Sequence, residues 1–273
     1  MQKNGDPPAG DRVLDERGVE EAAWASGLDG LARYVSATGS TNDDLMAAAE
    51  TGAPAWSVLA AGRQDEGRGR RGRTWVAPQG SSLLVSVLFR PELPAEGAAA
   101  VALGATVALA EALEDAGVET RCKWPNDLIA GADGRKIAGV LPESRIEGGV
   151  VRYVVVGIGV NVLQAASDFP EELRDTATSV AVEGGLLDQA RLLASYLAAL
   201  RRRYDPDAPG FVMRTLDAYR SRCETIGQDV RATTVDGEIV EGRATGVGDG
   251  GELVVRPPGR EVVIAFGEVE RLR

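Results

Sequence analysis

The sequence predicts an α+β chain in two parts, strands mixed with helices up to about residue 223 and then a small β-barrel over 224–273. Three stretches carry this reading. Val150 to Val160 is almost continuously apolar and β-branched, as a strand buried on both faces is. Gly97 to Ala116 is alanine-rich and strongly helix-forming, with Gly117 at its C-terminal end. After Gly227 the texture changes to short alternating runs separated by Asp236-Gly237, Asp249-Gly250-Gly251 and Pro257-Pro258-Gly259, the pattern of a small barrel.

The remaining elements follow in order. Residues 1 to about 18 are polar and rich in Gly, Pro and Asp, so a flexible segment is expected over 1–30, followed by a catalytic region over 31–223. Asn42 to Glu50 reads as a helix with Ser40 or Thr41 as N-cap, acids in its first turn and Gly52 as its stop. Trp56 to Ala61 and Ser82 to Phe89 read as strands, the second ended by Pro91. Thr120 to Trp124, Asp127 to Ala130 and Lys136 to Leu141 follow as strands, with a turn at Gly131 to Gly134. Pro142 is expected to end the last of these early. Leu186 to Tyr204 and Phe211 to Arg222 have helical periodicity. Strands are expected at Val230 to Val235, Ile239 to Thr245, Leu253 to Arg256 and Val262 to Phe266.

Composition narrows the chemistry. The formal net charge is −11, against the broad basic face of a general nucleic-acid binder. There is no histidine, which excludes Ser-His-Asp and Cys-His catalysis and histidine metal ligation. The two cysteines, Cys122 and Cys223, have no metal-ligand spacing and suit a reducing cytoplasm. No apolar run is long enough to span a membrane, and the first residues have no export signal.

Against that acidic background, Arg63 to Trp75 contains five arginines, with glycines at 67, 69 and 72. Glycine lets backbone N–H groups approach a ligand, and arginine's fork of donors matches carboxylate and phosphate. The loop therefore suits a small anion. Lys123-Trp124-Pro125-Asn126-Asp127 and Arg135-Lys136-Ile137-Ala138-Gly139 place further cations and a carboxylate at strand ends. Gly157-Ile158-Gly159-Val160-Asn161 begins like a dinucleotide fingerprint but has Val162 where the third glycine belongs, and there is no P-loop. Gly39-Ser40-Thr41-Asn42 sits at a helix start, where hydroxyl and amide groups can cap the helix or meet a polar ligand.

These five motifs, in this order and spacing, resemble the biotin protein ligases, and the likeness spans about residue 33 to the C-terminus. The resemblance implies a mixed sheet with flanking helices of the class II synthetase-like biotin/lipoate ligase fold, followed by an SH3-like barrel. It also implies a reaction in which biotin and ATP give biotinyl-5′-AMP and pyrophosphate. The acyl group then passes to a lysine in the carrier domain of acetyl-CoA carboxylase or a related acyl-CoA carboxylase. Carried over by motif, Ser40, Thr41 and Gln64 hold the ureido end of biotin, with Asn42 beside them. Gly67, Arg68, Gly69 and Arg70 border its carboxylate, and Gly139 and Gly157 leave room for its rings. Lys136 bridges that carboxylate and the α-phosphate and is the first choice for the catalytic residue, supported by Arg68, Lys123 and Asp127. Arg70, Arg71 and Lys123 face the phosphates, Asn126 belongs to the ATP site, Trp75 packs on adenine or supports its pocket, and Asn161 hydrogen-bonds near the nucleotide. Asp127 either helps carry Mg²⁺ or orients Lys123. The ion is expected on the phosphates, with no dedicated protein metal site.

Lipoate ligases and octanoyltransferases share the implied fold, but carry a histidine-containing signature or a cysteine nucleophile that this sequence lacks. About 35 residues precede the first motif, too few for the winged helix-turn-helix of the family's repressors, and they are acidic. The sequence reading is therefore a cytoplasmic enzyme, monomeric or weakly dimeric, acting without DNA or a membrane.

Overall fold

The computed structural model describes residues 13–234, 236–265 and 267–272. The expected α+β class is found, with a seven-stranded mixed sheet and a five-stranded antiparallel sheet.

The first element is a helix, α1 (Glu16–Ala25), capped by the Asp15 carboxylate accepting from the Gly18 N–H at 2.7 Å. It stands within the segment expected to be flexible over 1–30, of which residues 1–12 lie outside the described residues. Val19, Ala22 and Ala23 explain it: they form one buried stripe packed against the core, a short apolar face hidden among charges.

The large sheet takes β1 (Ala32–Val35), β2 (Val58–Ala61), β3 (Ser82–Phe89), β4 (Thr120–Lys123), β5 (Asp127–Ala130), β6 (Arg135–Glu147) and β7 (Val150–Asn161) in the order β1-β2-β3-β7-β6-β5-β4. Only the β1–β2 pair is parallel. β3 and the last strand of the sheet in sequence, β7, lie side by side at its middle, and every residue of β3 is buried. β6 runs through Pro142, which pairs with Val156, so the expected early end does not occur. Pro142 lies beyond the last β5 pair at Gly139, where its missing N–H interrupts no second ladder.

Residues alternate between the two faces of the sheet. On one face α2 (Thr41–Glu50) buries Leu45 and Ala49 against Leu59, Leu88, Tyr153 and Val155. On the other, α3 (Ala98–Asp115), α4 (Gln189–Arg203) and α5 (Phe211–Arg222) join α1 over Val58, Val85, Val87, Val154, Val156 and Val160. The α2 face carries the consequence for function. Along β7 its series runs Tyr153, Val155, Gly157, Gly159, Asn161, so the apolar side chains stop and two glycines leave the sheet bare.

The second sheet comprises β8 (Asp229–Thr234), β9 (Ile239–Val247), β10 (Leu253–Arg256), β11 (Val262–Ile264) and β12 (Gly267–Arg271), ordered β11-β10-β9-β8-β12. The expected strand Val262 to Phe266 ends instead at Ile264, and β12 is a fifth strand beyond the four placed from sequence; Val235 and Phe266 lie outside the described residues. The small sheet is fastened to the larger one. The Trp124 indole N–H donates to the Gly251 carbonyl at 2.9 Å, the Trp124 amide to Thr225 Oγ1 at 3.0 Å, and Arg220 to the Val247 carbonyl at 2.8 Å.

Candidate active site

Above the bare glycines lies a cavity of about 440 Å³. Strand register builds its floor in two rows: Ser86, Gly157 and Leu141 face one another across β3, β7 and β6, and Leu84, Gly159, Gly139 and Asp127 form the next row across to β5. Each expected site residue lines this cavity except Gly67.

At one end, the start of α2 meets the first row. Ser40 is the N-cap by position, yet its hydroxyl makes no capping bond and lines the cavity. Gln64 Oε1 accepts from the Thr41 N–H at 2.8 Å and from its hydroxyl at 3.0 Å. Ser86, fully buried, lies 2.8 Å from Thr41 Oγ1 and donates to Asn42 Oδ1 at 2.7 Å. Asn42 Nδ2 donates to the Leu141 carbonyl at 3.1 Å and to Glu143 at 2.6 Å. The polar groups are thus ordered by one another. Gly157 is needed for this: a Cβ there would stand 2.3 Å from Asn42 Oδ1, so its space is taken by Asn42.

The other end is cationic. Lys136 Nζ sits 2.7 Å from Asp127 Oδ1 and 5.5 Å from the centre of the Trp75 ring. Asp127 thus pairs with Lys136 rather than with Lys123, its register partner on β4. Lys123 and Arg71 line the same end with no ion pair among the described residues. Trp75 lies over the glycines of the second row: a Cβ on Gly159 would come within 2.7 Å of its ring, and one on Gly139 within 3.3 Å. Asn126 and Val140 exchange hydrogen bonds, Asn126 Nδ2 donating to the Val140 carbonyl at 2.9 Å, which fixes the turn before Asp127. Asn161 is turned to the chain that edges the cavity, donating to the Thr178 carbonyl at 2.9 Å.

The arginine loop has an internal frame. Its two arms are bridged at Arg68 and Thr74, the Trp75 N–H donates to the Gly67 carbonyl at 2.9 Å, and the Gly69 N–H to the Arg73 carbonyl at 2.7 Å. Arg71 and Gly72 turn the tip with φ of 56° and 73°. Gly67 lets the arms approach, since a Cβ there would meet the Trp75 carbonyl at 2.7 Å. Arg68 bonds Asp43 and reaches both oxygens of Glu143 at 3.3 Å. The bond to Asp43 holds the Arg68 guanidinium above its ordinary pKa, with Glu143 adding to the effect.

Several residues that line the cavity or lie just behind its lining escape sequence reasoning. Ser86 carries a faint signal, a lone hydroxyl in the otherwise apolar run Leu83 to Phe89. Gly159 is the second glycine of a motif in which only the first was singled out. Glu143 follows Pro142 without any pattern of its own. Gly267, Val269 and Glu270 come from the second sheet, and nothing local in their sequence places them at the cavity. Among the described residues no three carboxylate or cysteine side chains gather as a metal site, and the carboxylates on the cavity lining are Asp127 and Glu270.

Comparison with known proteins agrees with this geometry. Residues 35–161 match the biotin/lipoate A/B protein ligase family, and 225–272 match the biotin protein ligase C-terminal domain. The biotin–[acetyl-CoA-carboxylase] ligase of Mycobacterium tuberculosis is 35% identical over 98% of this chain and 97% of that protein. The bifunctional ligase/repressor BirA of Bacillus subtilis is 35% identical over 81% of this chain and 68% of its own length. Among solved structures, the biotin protein ligase of Aquifex aeolicus in complex with biotin and ATP superimposes with a TM-score of 0.71 at 26% identity, covering 90% of this chain and 100% of that one.

Proposed function

The chain belongs to the biotin protein ligases, and we propose how its own residues carry that reaction. It activates biotin with ATP to biotinyl-5′-AMP and passes the acyl group to a lysine of a carboxylase's biotin carrier domain. The observation that supports the assignment of residues is the polarity of one cavity: uncharged donors and acceptors at the α2 end, cations at the other.

A cyclic urea presents one acceptor and two donors, and its burial costs free energy unless each is satisfied. Ser40, Thr41 and Gln64 supply matching groups, with Thr41 held between Gln64 and Ser86. A dithiolane has no use for them, which favours biotin over lipoate. Towards the centre, Arg68, Gly69 and Arg70 border the carboxylate. Lys136, aimed by Asp127, stands between carboxylate and α-phosphate and offsets the charge that builds as the two approach. Lys123 and Arg71 meet the remaining phosphates, and Trp75 forms a wall of the nucleotide site over Gly139 and Gly159. Mg²⁺, bound with ATP, would neutralise phosphate charge, with Asp127 and Glu270 the carboxylates nearest to help hold it.

The test is incubation of the purified protein with ATP, Mg²⁺ and either biotin or lipoate, followed by mass detection of the acyl-AMP. Biotinyl-AMP from biotin alone is expected; product from lipoate alone would overturn the reading. The same reading has the protein in the cytoplasm, monomeric or weakly dimeric, and acting without DNA, the last supported by its net charge of −11. A shift of operator DNA at physiological salt would contradict that last part.

A further inference from the structure

Glu143 stands outside every motif discussed so far, yet it joins two of them. One carboxylate accepts from Asn42 Nδ2 at 2.6 Å and from Arg68 at 3.3 Å on each oxygen. Asn42 belongs to the floor of the ureido end, where its other contacts are Ser86 and the Leu141 carbonyl. Arg68 belongs to the arginine loop, where its other anchor is Asp43 in the first turn of α2. Both bonds have a carboxylate as acceptor, the stronger kind of hydrogen bond, and the donor from Arg68 is a cation as well. The Arg68 and Glu143 side chains are 41% and 30% exposed, so solvent screens their pairing in part, and the link rests on the geometry of the shared carboxylate.

We propose that Glu143 is a positioning residue that couples occupation of the ureido end to the setting of the arginine loop. A ring settling against Asn42 pushes on a group whose amide is held by the same carboxylate that holds Arg68. Asn42 has nowhere to retreat, because it already lies against Gly157. Adjustment at the floor is therefore passed to Arg68 through Glu143. The inference rests on the biotin-ligase reading given above.

The experiment compares wild type with Glu143→Ala, Glu143→Gln and Asp43→Asn, measuring KM and kcat for biotinyl-AMP formation and the rate of tryptic cleavage between residues 68 and 74 with and without biotin. Glu143→Ala is expected to raise KM for biotin about tenfold while kcat changes less than about twofold. Its loop is expected to be cut faster than wild type and to lose the protection biotin gives. Glu143→Gln keeps an acceptor for Asn42 without the charge for Arg68, so KM should largely recover while cleavage stays fast. Asp43→Asn removes the other anchor of Arg68 and should likewise speed cleavage. A KM for Glu143→Ala within twofold of wild type, a loss confined to kcat, or wild-type cleavage would overturn the proposal, as would a lowered melting temperature with no kinetic change. If wild type itself makes no biotinyl-AMP, the ligase reading fails first and the coupling with it.

Discussion

The two ends of the cavity are built on opposite principles. At the α2 end, Thr41, Asn42, Gln64 and Ser86 satisfy one another through short neutral hydrogen bonds in a buried network. At the far end, Lys123 and Arg71 have no ion pair among the described residues, and Lys136 has one, to Asp127. The first arrangement selects by shape and satisfied polarity; the second stores positive charge for a ligand that brings negative charge. The contrast separates recognition from chemistry, and each variant below is chosen to strain one end and spare the other.

The largest effect is expected from Lys136→Ala. Removal of one electrostatic donor aimed at a transition state costs about 3–4 kcal/mol, and adenylation measured by release of pyrophosphate should fall accordingly. The side chain is 36% exposed, so its removal leaves no buried void, and the thermal unfolding curve should keep its midpoint. Next comes Gly159→Ala. The added methyl would overlap the Trp75 ring, contacting it at 2.7 Å, and overpacking of this kind costs about 1–3 kcal/mol. KM for ATP should rise while biotin affinity measured without nucleotide holds.

Ser86→Ala acts on the other end and is expected to be milder. It leaves Asn42 Oδ1 buried without its donor, a loss of about 1–3 kcal/mol in stability by urea denaturation, and it should weaken biotin binding more than ATP binding. The smallest effect belongs to Cys122. Burial pushes its thiol up to about 12, so at pH 8 it stays protonated and should resist a disulfide reagent until the protein is unfolded.

What could be read from the chain follows the same division. Charge is visible in sequence: an arginine loop in an acidic protein and two lysines at strand ends mark the cationic end without any structure. So are long uniform elements such as β7 and α3, because an almost unbroken apolar run or an alanine run leaves little alternative. The recognition end was harder to see. Its Ser86 and Asn42 look like ordinary strand and cap residues until β3 and α2 are brought together, and Glu143 becomes interesting only through register with β7 and proximity to Arg68. Short or marginal elements were also missed. β1 has four residues on an outer edge, and α1 hides three buried side chains among charges. The contribution of Gly267, Val269 and Glu270 depends on how two sheets are docked, which no local pattern encodes.

The division of labour itself is tested most directly by single-turnover formation of biotinyl-AMP at saturating biotin and ATP, with Ser86→Ala and Lys136→Ala measured side by side. Ser86→Ala is expected within about threefold of wild type, because saturation restores what weaker binding loses, and Lys136→Ala at least about a hundredfold slower. Equal losses in the two variants would contradict the account.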